Sequence, residues 1–325
     1  MSRTVVRVNF MDSRVKAFAI DSNATAHDLL KTVIEKLELK EHGTFAIFEK
    51  KNDWERCLEP DEKPADLMKT WPSEGGDAAP KFVFKKKTFI RDDDKEMEDP
   101  VALRLLFIQA LANIINSEYP TSVEEAIKLA GLQVHIVYSD HNPGTHQPGF
   151  LSQNLKEYVP KKLFPNNRPA DWEKAIFDEH KKHIGKSEVE AMREYIGFAK
   201  KLDFYGTTFY PPCKAINCGR RIPSKVIIGV NAEGISLLKP KDRELISSHP
   251  FTEICSWASS STTFAFEFGV QSEATKYTFE TKQGAIIAAT IQTYIDILVE
   301  MLTNGNEDEE ESTATGTSHG SDNDD

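Results

Sequence analysis

STTFAFEFGVQSEATKYTFETKQGAIIAATIQTYIDILVEML, residues 261–302, decides how the rest of the chain is read. Phe264, Phe266 and Phe268 alternate with Thr263, Ala265 and Glu267, the period of two of a half-buried strand. From Gln283 to Leu302 the period changes. Ile287, Ile291, Tyr294, Leu298 and Met301 recur at three- and four-residue steps with no proline among them, which makes one apolar stripe along a helix. Strand signals extend upstream to Thr207, so the region reads as a small β-sandwich of roughly seven strands closed by one terminal helix. An edge strand beside a helix is a place where an extended peptide adds to a sheet. Recognition is therefore expected before catalysis.

The bulk properties set the frame. A chain of 325 residues with 39% hydrophobic content exceeds one ordinary core and suits two or three domains of roughly 100 residues. The formal net charge is −11, but residues 303–325 carry eight acidic side chains and no Lys or Arg, leaving −3 for the remainder. A body so near neutrality argues against a general nucleic-acid binder, which needs a basic surface. The opening MSRTVVRVNF has no secretory pattern, and the most apolar stretch, Val101 to Ile115, is interrupted by Arg104, Gln109 and Asn113. Neither a signal peptide nor a membrane span is read. Cys57, Cys213, Cys218 and Cys255 are scattered through the chain, which suits a reducing compartment and a cytoplasmic protein.

Along the chain, Thr4 to Phe10 and Arg14 to Ile20 read as strands, and Thr25 with Asp28 opens a helix with Leu29, Leu30, Val33, Ile34 and Leu37 on one face. Phe45 to Lys50 and Trp54 to Leu58 form a hairpin around Lys51-Asn52-Asp53, and Lys81 to Lys86 supplies a last strand. That order describes a ubiquitin-like lobe at 1–90. The charged run Arg91 to Asp99 marks a boundary, after which Val101 to Ser117 is apolar almost all round, as in a helix buried on most sides. Further helices start at Thr121-Ser122, at Pro169 and at Ser187, giving a helical lobe at 91–203. The sandwich occupies 204–302. The acidic tail 303–325 has too little apolar content for a core and is expected to be disordered.

Three lobes in this order, with the strings DPVALRLLFIQA, AGLQVHIVYSDHN and AMREYIGFAKKLDFYG, resemble the FERM domain family over about Thr4 to Leu302. ICSWASSSTTFAFEFG, ETKQG and IQTYIDIL are most similar to the head of the talin family, and FERM modules of unconventional myosin tails are the second likeness. The resemblance implies an α+β multidomain fold: a ubiquitin-like β-grasp, an acyl-CoA-binding-protein-like helical bundle, and a PH/PTB-like β-sandwich with a C-terminal helix. It further implies a non-enzymatic adaptor between the plasma membrane and the cortical cytoskeleton. Its partners would be an anionic phospholipid, the cytoplasmic tail of a transmembrane adhesion receptor or an adaptor peptide, and, indirectly, cytoskeletal proteins. Nucleic acid is not expected, and no cofactor is implied.

Carried over by motif, the peptide groove lies between the strand of Trp257 and the helix of Ile295, with Ala258 as the small residue after the tryptophan. Ser256 replaces the family's basic residue, and Lys276 falls at an aromatic groove position across a one-residue gap, so side-chain selectivity should differ. Lipid contact is expected from Lys181, Lys182, Lys200, Lys201, Arg220, Arg221 and Lys225, with Lys186 nearby; Gly197 stands where the family tends to carry lysine. On an anionic leaflet each near-surface charge contributes roughly 1 kcal/mol. The talins' additional N-terminal lobe, their long basic insertion in the ubiquitin-like lobe and their helical rod have no counterpart in these residues. Actin contact through a rod is therefore not expected.

No GxxxxGK[ST], HExxH or kinase catalytic loop occurs in the sequence, and no nucleophile elbow is read in it. His141 and His146 share a loop, but their spacing matches no standard metal site, and Cys213 with Cys218 is a lone pair, so no metal is expected. Two alternatives accompany the adaptor reading. One is a soluble scaffold or cargo-binding FERM module without lipid binding, and the other a regulatory fragment of a larger FERM-containing kinase or phosphatase.

Overall fold

Alternating apolar residues at the N-terminus place Val6 and Val8 on β1 (Arg3–Asn9) and Phe18 and Ile20 on β2 (Val15–Asp21), all pointing to one buried face. The computed structural model describes residues 2–52, 54–72, 79–90, 98–270 and 273–314, with 304–314 described for their backbone alone. Asp53 of the expected hairpin turn, part of the Pro72–Pro80 connection and the charged run 91–97 lie outside these residues.

The capping box expected at Thr25 is present: its Oγ1 accepts from Asp28 N, the Asp28 carboxylate accepts from Thr25 N, and α1 (Ala26–Leu37) follows. β3 (Phe45–Lys51), β4 (Trp54–Cys57) and β5 (Lys81–Lys86) complete a five-stranded sheet in the order β2-β1-β5-β3-β4, with β1 and β5 parallel. A short helix, α2 (Pro64–Thr70), was not anticipated. It has no side-chain cap and is started by Pro64, whose fixed φ suits a first turn.

Asp99, Ser122 and Ser187 cap α3 (Pro100–Ile115), α4 (Val123–Tyr138) and α6 (Glu188–Ala199), while α5 (Pro169–His180) begins at a proline. Leu103, Phe107, Tyr195 and Ile196 fill one core between α3 and α6; Ala130, Val134, Trp172 and Ile176 fill another between α4 and α5. The all-round apolarity of α3 has a reason, since one of its faces meets the sheet. Lys86 N donates to Gln109 Oε1 at 2.9 Å and Gln109 Nε2 donates to Lys86 O at 3.1 Å, both buried. Asp99 Oδ2 also accepts from Lys40 N at 2.8 Å and Glu41 N at 3.1 Å, and Ala102 joins the sheet's core. Gln109, read from sequence as an interruption of an apolar run, is instead a paired polar group within it. With both lobes locked this way, the chain divides into two compact units, Met1–Gly206 and Thr207–Asp325.

In the second unit, β6 (Thr208–Phe209), β7 (Cys213–Ala215), β8 (Lys225–Asn231), β9 (Gly234–Leu238), β10 (Leu245–Pro250), β11 (Ile254–Ser259), β12 (Thr263–Phe268) and β13 (Thr275–Glu280) precede α7 (Gly284–Ala314). The strands run β10-β9-β8-β7-β13-β12-β11, with β6 paired to β8. Phe264, Phe266 and Phe279 from the sheet and Ile287, Ile291 and Tyr294 from α7 are buried together. The predicted helix stripe leaves this core sooner than expected: Leu298 is half-buried and Met301 is exposed. The sequence reading ends the helix at Leu302, and α7 continues to Ala314; residues 315–325 of the acidic tail lie outside the described range. Gly284–Thr303, not Val101–Ile115, is long and apolar enough to cross a membrane by composition. Its buried side chains fill the sandwich, so it reads as a core helix.

Two predictions follow from this packing. Gln109→Ala removes the two buried hydrogen bonds to the Lys86 amide and carbonyl and should destabilise the first unit by about 1–3 kcal/mol in denaturant unfolding. His249, 5% exposed on β10, has its Nε2 3.0 Å from Ser247 Oγ and its ring against Phe266, Phe268 and Tyr277, and burial pushes it down to about 4. Burial also raises the Tyr277 phenol, which therefore stays neutral in the range concerned. A depressed histidine stabilises the fold fully above its unfolded value of about 6.5, and that contribution is lost as pH falls toward 4, by up to about 1.4 kcal/mol per pH unit. Melting curves at about pH 7.5 and about pH 5 should show a smaller difference in His249→Leu than in the wild type.

Candidate functional site

β11 lies at one end of the second sheet and pairs with β12 alone among the described strands. Its outer edge therefore presents backbone donors and acceptors to an incoming chain. Register sorts its side chains into two faces. Trp257 is opposite Phe266, which is opposite Tyr277; Ser256 is opposite Glu267, which is opposite Lys276. The first row turns inward, with Phe266 buried and Trp257, Tyr277 and Ile295 half-buried against the same core. The second row turns outward. Ser256 Oγ and Lys276 Nζ each donate to the Glu267 carboxylate at 3.0 Å, and the Lys276 bond is the main reason that carboxyl lies below its usual range. Ala258 is exposed opposite Ala265.

The structure thus brings Trp257 and Ile295 onto one core and sets Ser256 and Lys276 on the other face of the strands. The sequence assigned Lys276 to an aromatic position across a one-residue gap. In a strand, one residue reverses the face, and Tyr277 is the aromatic at the level of Trp257.

What seats α7 over this end of the sheet is Gly284. A Cβ there would stand 2.3 Å from the carbonyl oxygen of Thr263, at the start of β12, and 3.2 Å from Ser259 Cβ, at the end of β11. No other residue permits that approach. Further along the helix, Tyr210 Oη donates to Thr290 Oγ1 at 2.7 Å.

The basic residues expected to meet lipid are divided between the two units. Lys181 and Lys182 follow α5 and are exposed, ion-paired with Asp178 and Glu179; Lys186 pairs with Glu194. Lys200 caps α6 and Lys201 follows, exposed. In the second unit, Arg220 and Arg221 are exposed on the β7–β8 loop, which also exposes Ile216. Lys225 stands opposite Lys214 across β7 and β8, at a depression of about 420 Å³ lined by Pro212, Cys213, Lys214, Ser224, Lys225 and Glu280. The Lys214 ammonium is ion-paired there with Glu280 at 3.8 Å.

One constellation was missed in the sequence. His141 and His146 are joined by His180 from α5, and one ring nitrogen from each lies within 4.8 Å of the others. Burial pushes His180 down to about 4 and lowers His141 and His146, so all three rings are neutral near pH 7. Local spacing could not show this, because the third ring comes from a separate helix. Cys213 and Cys218, by contrast, are buried thiols that donate to the carbonyls of Val226 and Thr278.

Three family models match the chain: RA like domain over residues 2–88, FERM central domain over 92–210, and PTB domain (IRS-1 type) over 213–299. Talin from Oscarella pearsei is 28% identical over 315 residues, covering 90% of this chain and 12% of that protein. The chain therefore spans about an eighth of the length of the curated relatives it matches. Among solved structures, the FERM and C-terminal domain complex of Drosophila Merlin superposes with a TM-score of 0.75 at 19% identity, covering 93% of this chain and 98% of that one. The human Myosin 7b C-terminal MyTH4-FERM domain, solved with the harmonin-a PDZ3 domain, gives 0.71 at 22% identity, covering 92% and 61%.

If Gly284 sets the distance between α7 and the sheet, Gly284→Ala must push the helix off Thr263 or strain it. Thermal or denaturant unfolding should register a loss of about 1–3 kcal/mol in the second unit, with altered Trp257 fluorescence.

Proposed function

We propose that this chain, which carries the three FERM subdomains and resembles talin over 90% of its length, is a non-enzymatic adaptor at the cytoplasmic face of the plasma membrane or the cell cortex. It joins acidic phospholipid and the cytoplasmic tail of a transmembrane receptor, or an adaptor peptide, to the cortical cytoskeleton. The observation that carries this reading is the β11 edge with α7 beside it. An extended peptide adds a strand through backbone hydrogen bonds, and its side chains meet Trp257 on the edge strand and Ile295 on the helix. Selectivity on the outer row differs from that of a basic groove, since Ser256 and Lys276 already share Glu267.

Lipid contact rests on charge. The Arg220–Arg221 loop, with exposed Ile216, joins two cations to an apolar side chain, the composition suited to an anionic bilayer surface. Lys181 and Lys182 supply the second group, although their ion pairs with Asp178 and Glu179 reduce what they offer.

Cosedimentation with liposomes, with and without phosphoinositide, tests the membrane part. The wild-type chain should pellet with the anionic vesicles, and replacing Lys181, Lys182, Arg220 and Arg221 together with Glu should abolish this. A folded wild type that stays in the supernatant would favour a soluble scaffold. Trp257→Ala should leave lipid binding unchanged and weaken binding of cytoplasmic-tail peptides by about 1–3 kcal/mol, the range of a truncated anchor residue.

A further inference from the structure

We propose that His141, His146 and His180 bind one zinc ion, which staples the loop after α4 to the end of α5. α4 ends at Tyr138, and the chain turns at Ser139 with φ +62° before reaching His141 and His146. His180 closes α5 and is fully buried. Its Nε2 donates to the carbonyl of Ser139 at 2.7 Å, which fixes the tautomer and leaves the lone pair on Nδ1. That Nδ1 is buried and has no hydrogen-bond partner; neither has the buried Nδ1 of His141. Native interiors seldom leave such atoms unpaired, and an ion between them would satisfy both.

Ring geometry agrees. Centroids of His141 and His146 are 5.1 Å apart, those of His146 and His180 5.1 Å, and those of His141 and His180 5.4 Å. Phe150 and Phe177 wall the cluster, contributing no competing donor or acceptor side chain. Three imidazoles form a borderline-soft nitrogen set that suits zinc, with a water in the fourth position on the half-exposed side of His141. Tetrahedral ligands at a Zn–N distance of about 2.0–2.1 Å stand about 3.3 Å apart, so the nitrogens close by an ångström or so on binding. The Ser139 carbonyl acts as the outer partner that orients a metal-bound histidine.

His146 carries the cost. Its Nδ1 accepts from Asn142 N at 2.9 Å, so in the metal-free protein its proton sits on Nε2. A neutral imidazole has one lone pair, and zinc takes it in exchange for the Asn142 bond. His135 and His183 stand outside the set; His135 Nε2 is held by the Lys186 carbonyl at 2.9 Å. The inference is independent of the peptide groove and of lipid binding.

Titration calorimetry of the full chain, freed of metal by chelation and titrated with zinc chloride, should show one ion per chain with micromolar or tighter affinity and a rise in melting temperature. His141→Ala and His146→Ala should each weaken binding at least about tenfold, in the range seen when metal-site support is removed. His141 lies half-buried in a loop, so its variant keeps the fold, as circular dichroism will verify. A variant with His27→Ala, His42→Ala and His319→Ala should bind as the wild type does. Cobalt in place of zinc should give the visible bands of a tetrahedral site. No saturable zinc binding by the folded chain, equal binding in both loop variants, or loss of binding in the triple control would overturn the proposal.

Discussion

The approach of Gly284 to the Thr263 carbonyl is the constraint on which the candidate peptide site depends. With no side chain at that position, the first turn of α7 settles against the β11–β12 end of the sheet. Ile287, Ile291 and Tyr294 then enter the core at the depth of Phe264 and Phe266. Because the helix covers the sheet's face and not its margin, β11 keeps an unpaired edge among the described strands. Burial of the helix and exposure of the strand edge therefore have one cause, and the half-buried Trp257 marks where they meet.

A second constraint governs the first unit. Buried hydrogen bonds between Gln109 and the Lys86 backbone, and between Asp99 and the backbone of Lys40 and Glu41, tie a β-grasp to a helical bundle. Such bonds hold only when every partner is in register, since an unpaired buried amide is expensive. Two folds with separate cores accordingly form one compact unit. The His141, His146 and His180 rings lie in the helical part of it, where His180 also ties the end of α5 to the Ser139 carbonyl.

Much of this was legible in the sequence because it is written in local periods. The alternation at Phe264, Phe266 and Phe268, the capping boxes at Thr25, Ser122 and Ser187, and the stripe from Ile287 to Tyr294 each specify an element within a few residues. What failed depended on partners distant in the chain. Gln109 looked like an interruption because its backbone partner is on β5. The face that Lys276 takes was not legible either, since only the cross-strand row with Glu267 and Ser256 sets it, one residue from the row of Phe266 and Tyr277. His180 could not be joined to His141 and His146 without knowing that α5 packs beside the loop following α4. The exit of α7 from the core at Leu298 was equally hidden, since a helical stripe shows no sign of where its partner sheet ends.

The central claim is that β11 receives an extended peptide as an added strand beside α7. Amide hydrogen exchange of the whole chain, with and without a bound cytoplasmic-tail peptide, tests it most directly. The account predicts new protection on the outer-edge amides of β11, between Ile254 and Ser259, with smaller changes along the facing turns of α7. A peptide that binds while these amides exchange as before, with protection appearing elsewhere in the chain, would contradict it.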